Sequence, residues 1–343
     1  MKFLVNFPIF NGCLRDFGNM SALAEQCRKS GVSGLEVIWD YDPYTEEMPP
    51  KELVVGYHLK FWANWVDFWN GDRDAVMKEF GSWDKVREYY HGEGKAEILE
   101  QYREDLQRAI DLEAEYVVFH VSEVSLDECF TYDFVHTDEQ VIDASIECIN
   151  SVFDGVTSDV VLLMENQWWP GLTYTNPKMT KRLLDGVEWP NKGIMLDTGH
   201  LLHTNNKLRT QKEAARYIIQ MHEDHRELGE MVRGMHLHQS LTGAYVESQG
   251  YKIPDDVPNN LPEDYWKKLS RVYDHILKID CHQPWTDPCV ADVVRAIDPE
   301  WVNNELASWP SDEHFKALDT QMGALAAGGL AVGPKANAAR DGK

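Results

Sequence analysis

The chain has 343 residues, 43% of them hydrophobic, and a formal net charge of −24. That is enough apolar material for one large α/β domain or two smaller ones. No apolar run approaches the ~20 residues that span a bilayer, so no membrane partner is expected. So strong an acidic excess, without a cluster of lysine and arginine, disfavours nucleic acid as a partner. Residues 1–10, MKFLVNFPIF, are apolar but short, contain Pro8 and precede no small-residue cleavage site. They read as a first strand rather than a signal peptide. Six scattered cysteines without a C-x-x-C pair fit reduced thiols in a cytoplasm, not a disulfide or zinc-finger framework.

Strand candidates recur with helices between them. Residues 2–6 form the first, followed by an amphipathic helix over 20–30. GLEVIW at 34–39 is the second strand and LVVGYHLK at 53–60 the third. Segment 61–93 holds Trp62, Trp65, Phe68, Trp69, Phe80, Trp83, Tyr89 and Tyr90. A connection this long is either functional or has a small structure of its own. It reads equally as a lid over a pocket or as a helical insertion packing its aromatics on the outside. A charged helix over 95–114 leads to the fourth strand, YVVFHV at 116–121. A helix over 137–153 leads to the fifth, DVVLLME at 159–165. After a helix over 176–186 comes the sixth, 193–197, inside the stretch GIMLDTGH. A helical region over 210–231 precedes the seventh, VRGMHLH at 232–238. Residues 241–262 read as loop, 263–279 as an inserted helix and 287–297 as another helix. VNNEL at 302–306 is the eighth strand and 311–325 a closing helix. The tail 326–343 is small, glycine-rich and aperiodic, and is expected to be disordered. The chain is therefore expected to be a single domain over 1–325.

Eight short strands alternating with helices predict a closed (β/α)8 TIM barrel. No G-x-G-x-x-G or P-loop motif follows a strand, which removes the usual nucleotide readings. In such a barrel the reactive groups sit at the C-terminal ends of the strands. Those ends carry His58, His120, Glu165, Asp197 followed by His200, His236 with His238, and Glu305. A buried carboxylate needs a partner, and a divalent ion supplies one. Asp197 has a plainer reading as a strand-to-helix cap. Any single histidine reads more simply as a hydrogen-bonded core residue. Glu165, Asp197, His236 and Glu305 together offer three hard oxygens and one imidazole. That set suits Mn²⁺, Mg²⁺, Co²⁺ or Zn²⁺.

The motifs GYH at 56–58, FH at 119–120, MEN at 164–166, LDTGHL at 196–201, MHLHQS at 235–240 and NEL at 304–306 together resemble the xylose isomerase-like TIM barrel superfamily. That group holds sugar isomerases, keto-sugar epimerases and endonuclease IV-type enzymes. The resemblance to the epimerase branch implies one divalent ion held by Glu165, Asp197, His236 and Glu305, with Glu165 and Glu305 also the acid and base. The resemblance to the endonuclease IV branch implies three zinc ions, with His58, His120 and His200 as further ligands. There an Asp-x-His pair, matched by Asp280 and His282, departs from the family pattern because it follows an inserted helix.

The expected function is a metal-dependent isomerase or epimerase acting on a sugar-like substrate through an enediolate. His200 and His238 would relay protons or bind hydroxyls, and Trp168, Trp169 and Trp62 would contact the sugar. The two tandem tryptophans read equally as a packed loop. A multi-zinc phosphodiesterase, or a lyase or deglycosidase sharing the first proton abstraction, is the alternative. The acidic surface and aromatic segment permit a homo-oligomer without requiring one.

Overall fold

The computed structural model describes residues 1–39 and 43–332. Its elements run β1 (Lys2–Ile9), α1 (Met20–Lys29), β2 (Gly34–Trp39), β3 (Val54–His58), α2 (Val66–Asn70), α3 (Arg73–Phe80), α4 (Trp83–Tyr90) and α5 (Lys95–Asp111). Then follow β4 (Tyr116–His120), α6 (Glu128–Thr131), α7 (Asp138–Phe153), β5 (Val161–Glu165), α8 (Pro177–Gly186), β6 (Lys192–Asp197), α9 (Thr198–His203) and α10 (Gln211–His225). The chain finishes with β7 (Val232–His236), α11 (Gly243–Gln249), α12 (Tyr265–Ile279), α13 (Val290–Ile297), β8 (Trp301–Asn304) and α14 (Ser311–Ala327). All eight strands pair parallel in sequence order, and β1 closes the ring on β8. The expected single (β/α)8 barrel is what forms.

Strand alternation sets the layers. On β4, Val117 and Phe119 face the helices, while Tyr116, Val118 and His120 line the barrel interior. The floor of the interior is apolar: Leu4, Tyr116, Val118, Leu163, Met195 and Trp301 pack there. Helix starts are specified locally. Thr137 and Thr210 each form a capping box, with Gln140 and Glu213. Asn176 caps α8 ahead of Pro177 at its first position. Among the described residues no helix is long and apolar enough to cross a membrane.

Several boundaries differ from the sequence reading. The predicted strand 232–238 stops at His236, so His238 lies just past it, and Glu305 lies one residue past β8. Three short helices escape prediction: α6, α9 and α11. The last falls in the predicted loop 241–262, because seven residues carry too little periodicity to register. Tyr245 ties it down through a 2.9 Å hydrogen bond to His275 on α12. Helix α14 runs through Ala327, two residues beyond the predicted domain end. Residues 333–343 of the expected disordered tail lie outside the described residues.

The aromatic segment after β3 combines both of its readings. Phe68, Trp69, Phe80 and Tyr90 are buried in a small core of their own, with Phe68 and Tyr90 stacked at 3.9 Å. That unit leans on α12: Phe80 stacks on Tyr265 at 4.7 Å, and the Trp266 indole donates to Glu88 at 2.8 Å. The insertions after β3 and β7 thus meet and roof part of the barrel mouth.

Candidate metal centre at the barrel mouth

Strand register brings the polar residues together. His120 pairs across from Glu165, Asp197 from His236, and His236 from Asn303. Glu165, Asp197, His236 and Glu305 each offer an atom, all within 4.8 Å of one another. His236 Nδ1 lies 3.2 Å from Glu165 Oε1, 3.8 Å from Asp197 Oδ2 and 3.0 Å from Glu305 Oε2. Yet Glu165 Oε1, His236 Nδ1 and Glu305 Oε2 are buried and make no hydrogen bond among the described residues. Three unpartnered polar atoms converging on one point fit a divalent ion.

Two further groups adjoin this quartet. His58 and His120 bring their Nε2 atoms to 3.3 and 3.2 Å from the other oxygen of Glu165. His200, His238, Asp280 and His282 form the third group. Asp280 Oδ2 lies 3.2 Å from His200 Nε2 and 2.8 Å from His282 Nε2. His238 faces Asp197 Oδ2 at 3.0 Å and stacks on His282 at 4.1 Å. Glu165 and Asp197 therefore link the three groups. The Asp-x-His pair, displaced in sequence, is brought to the site by a two-residue antiparallel bridge between Gln239 and Gln283. His282 adopts φ +45°, a left-handed conformation that costs a residue with a Cβ about 1–2 kcal/mol.

The motif LDTGH has a definite local reason. Asp197 is a cap after all, its Oδ1 accepting from the His200 amide at 2.6 Å, while Oδ2 faces His236 and His238. Gly199 is needed because a Cβ there would stand 1.9 Å from the His238 ring. Burial alone would raise the carboxyls of Glu165 and Glu305. The neighbouring imidazoles, His236 foremost, overcome that and hold both well below the usual range. Burial pulls His282 down, but Asp280 outweighs it and pushes the imidazole up to about 10.

Above these groups lies a chamber of about 160 Å³ whose walls include His120, Gln167, Trp168, Trp169, His200 and Asp280. Trp168 and Trp169 lie together at 4.2 Å, and Trp168 sits 5.2 Å from His200. Phe61 stacks on His120 at 4.3 Å. Trp62 does not join this chamber; it packs edge-on against Tyr102 at 5.2 Å and lines a neighbouring cavity.

Four residues escaped the sequence reading. Asn166 clips β6 by accepting from the Asp197 amide and donating to its carbonyl, at 2.8 and 3.0 Å. His203 places Nε2 3.6 Å from Asp280. Ser240 donates to Asp280 Oδ1 at 3.2 Å. Glu36 is buried on β2 against His236. It stands third of the six residues of β2, ahead of the C-terminal end, so the strand-end signal that marked the others passes over it.

The family model of the xylose isomerase-like TIM barrel matches residues 88–247. No curated protein matches the sequence. Among solved structures, that of L-ribulose 3-epimerase is 11% identical with a TM-score of 0.50, covering 100% of this chain and 98% of that one. A 3-keto-D-glucoside 4-epimerase from E. coli is 11% identical with a TM-score of 0.45, covering 93% of this chain and 97% of that one. A sugar phosphate isomerase/epimerase from Parabacteroides distasonis is 10% identical with a TM-score of 0.47, covering 93% and 91%. The likeness to L-ribulose 3-epimerase, at that identity, is a likeness of fold. The matched segment and the closed eight-stranded ring agree on the fold, a (β/α)8 TIM barrel.

Proposed function

We propose that the protein is a divalent-metal-dependent isomerase or epimerase acting on a small, carbohydrate-like carbonyl compound. The observation that carries this reading is the convergence of Glu165 Oε1, His236 Nδ1 and Glu305 Oε2, buried and without hydrogen bonds among the described residues; the adjoining His120, His200 and Asp280 line a small chamber. In this reading Glu165, Asp197, His236 and Glu305 hold the ion, which is Mn²⁺, Mg²⁺, Co²⁺ or Zn²⁺. When bound, the ion supplies Lewis acidity toward a carbonyl and its neighbouring hydroxyl, easing loss of the α-proton. Glu165, from β5, and Glu305, after β8, take and return that proton from their different sides of the mouth. Each such transfer contributes about 10²–10⁴-fold in rate. His200 and His238 orient hydroxyls or pass protons, and Trp168 and Trp169 offer a face to the sugar ring. Trp62 has no part in substrate contact here.

A second reading is favoured by the adjoining groups of His58 with His120 and of His200, His238, Asp280 and His282. They would let the site hold three ions and hydrolyse a phosphodiester. The roof and the net charge of −24 favour the smaller substrate. A lyase or deglycosidase would begin with the same proton loss.

The test is α-proton exchange in D₂O over keto-sugars, inososes and 3-keto-glycosides with added Mn²⁺. Exchange on one class is the expected result. Nicking of abasic DNA, with about three ions per chain and no exchange, would replace the first reading by the second.

A further inference from the structure

Glu36 is a buried carboxylate inside the barrel that, among the described residues, belongs to none of the three ligand groups. All of its partners are side chains, drawn from three other strands. Its Oε2 accepts from the Tyr116 hydroxyl at 2.6 Å and lies 3.0 Å from His236 Nε2. Its Oε1 accepts from the Asn303 amide at 2.8 Å. Tyr116 reaches it because β3 carries Gly56 alongside; a Cβ there would lie 2.3 Å from the tyrosine ring.

Glu36 Oε2 already accepts from the Tyr116 hydroxyl, so it takes the acceptor's part toward His236 Nε2 as well. When the ring carries a single proton, that proton sits on Nε2 facing Glu36 and the lone pair on Nδ1. Nδ1 is the atom that stands 3.0 Å from Glu305 Oε2 without a hydrogen bond. We infer that Glu36 is a positioning residue: it fixes the tautomer and the orientation of His236, so that Nδ1 is presented to the metal site. Tyr116 and Asn303 in turn hold Glu36. The inference rests on the metal reading above. A carboxylate pinning His236 across the barrel is the kind of outer contact on which metal affinity depends. Glu123 shows the purely structural alternative, a buried carboxylate satisfied by the backbone amides of Trp65 and Val66.

The experiment uses chelator-stripped full-length protein, with Co²⁺ as the probe. Glu36→Gln is nearly isosteric, but its amide donates toward His236 Nε2 and drives the ring proton to Nδ1. Co²⁺ should bind about 10–100-fold more weakly, with an altered visible spectrum. Tyr116→Phe keeps Glu36 on His236 and loosens it by one hydrogen bond, for about 2–10-fold; it serves if Glu36→Gln fails to fold. Nitrogen-15 NMR of the metal-free imidazole, taken at a pH alkaline enough to make the ring neutral and assigned with His236→Asn, reads the tautomer directly. Wild type should show the Nε2–H form and Glu36→Gln should lose it. Wild-type Co²⁺ affinity in Glu36→Gln, or an unchanged tautomer, overturns the assignment. If wild type itself binds no Co²⁺, the metal reading fails, and the tautomer alone decides whether Glu36 positions the ring.

Discussion

At the floor of the barrel, Tyr116, Val118, Leu163 and Met195 fill the interior with apolar side chains. One step further along the same strands, the inward residues are His120, Glu165 and Asp197. The two layers share a backbone and a register, and they do opposite things energetically. Each large apolar side chain on the floor contributes roughly 1.5–3 kcal/mol by leaving water. Each buried charge at the mouth costs several kcal/mol unless it is compensated. Within the described residues, the ion pairs reaching Glu165, Asp197, Asp280 and Glu305 all come from imidazoles. Floor residues therefore hold the fold, and mouth residues draw on that stability to keep their paired charges buried.

The sharpest way to break the comparison is Glu165→Gln. It should lower α-proton exchange by about 10²–10⁴-fold, measured by NMR in D₂O. The apo protein should lose stability, since His58, His120, His200 and His236 would lose the carboxylate that faces them. Full activity would remove Glu165 as acid or base. The mirror experiment is Leu163→Ala on the floor. It should cost about 2–5 kcal/mol in denaturant unfolding and leave the metal content per chain unchanged. Stripping and restoring metal comes next. At a free Mn²⁺ concentration 100 times its Kd, the loaded protein should be about 2.7 kcal/mol more stable than the apo form. Scanning calorimetry reads this, and an unchanged midpoint would mean that the quartet does not bind the ion.

Glu123 sharpens the comparison from outside the mouth. Burial pushes its carboxyl up to about 8, against the pull of the Val66 and Trp65 amides and of His136. Its folded value lies above its unfolded one, so the folded state binds the extra proton. Stability from this group is present below pH ~4.5 and falls by about 1.4 kcal/mol per pH unit up to roughly pH 8. Glu123→Gln should remove that slope in urea titrations between pH 5 and 8. A slope equal to wild type would show that Glu123 is not its source. The smallest effect expected is at the helix starts. Thr137→Ala should cost about 1 kcal/mol in the same titrations and leave exchange intact.

Most of the mouth was legible in the chain before any fold was known. Glu165, Asp197 and His236 each end a strand, and Glu305 and His238 follow within two residues, so a parallel ring brings them to one end. Asp280 and His282 were harder. They follow α12, and only the Gln239–Gln283 bridge, with amide–carbonyl distances of 2.8 and 3.0 Å, returns them to the site. No periodicity signals two residues of antiparallel pairing. Trp62 was ambiguous for a related reason: aromatic character marks burial, and packing against Tyr102 beside a neighbouring cavity looks the same in sequence as a place in the chamber. The roof was half legible. The aromatic density of 61–93 announced a separate small core, but its contact with Tyr265 and Trp266 joins segments far apart in the chain.

The sequence by itself determined the alternation of strands and helices, the caps, and the type of residue at each strand end. These are matters of period and local hydrogen bonding, which act within a few residues. Ring closure decided the rest. It set Glu36 against His236, 200 positions away, let Glu165 and Asp197 each face two groups, and brought α12 over the mouth. Such partnerships depend on which strand ends up opposite which, and that is fixed only when the eighth strand pairs with the first.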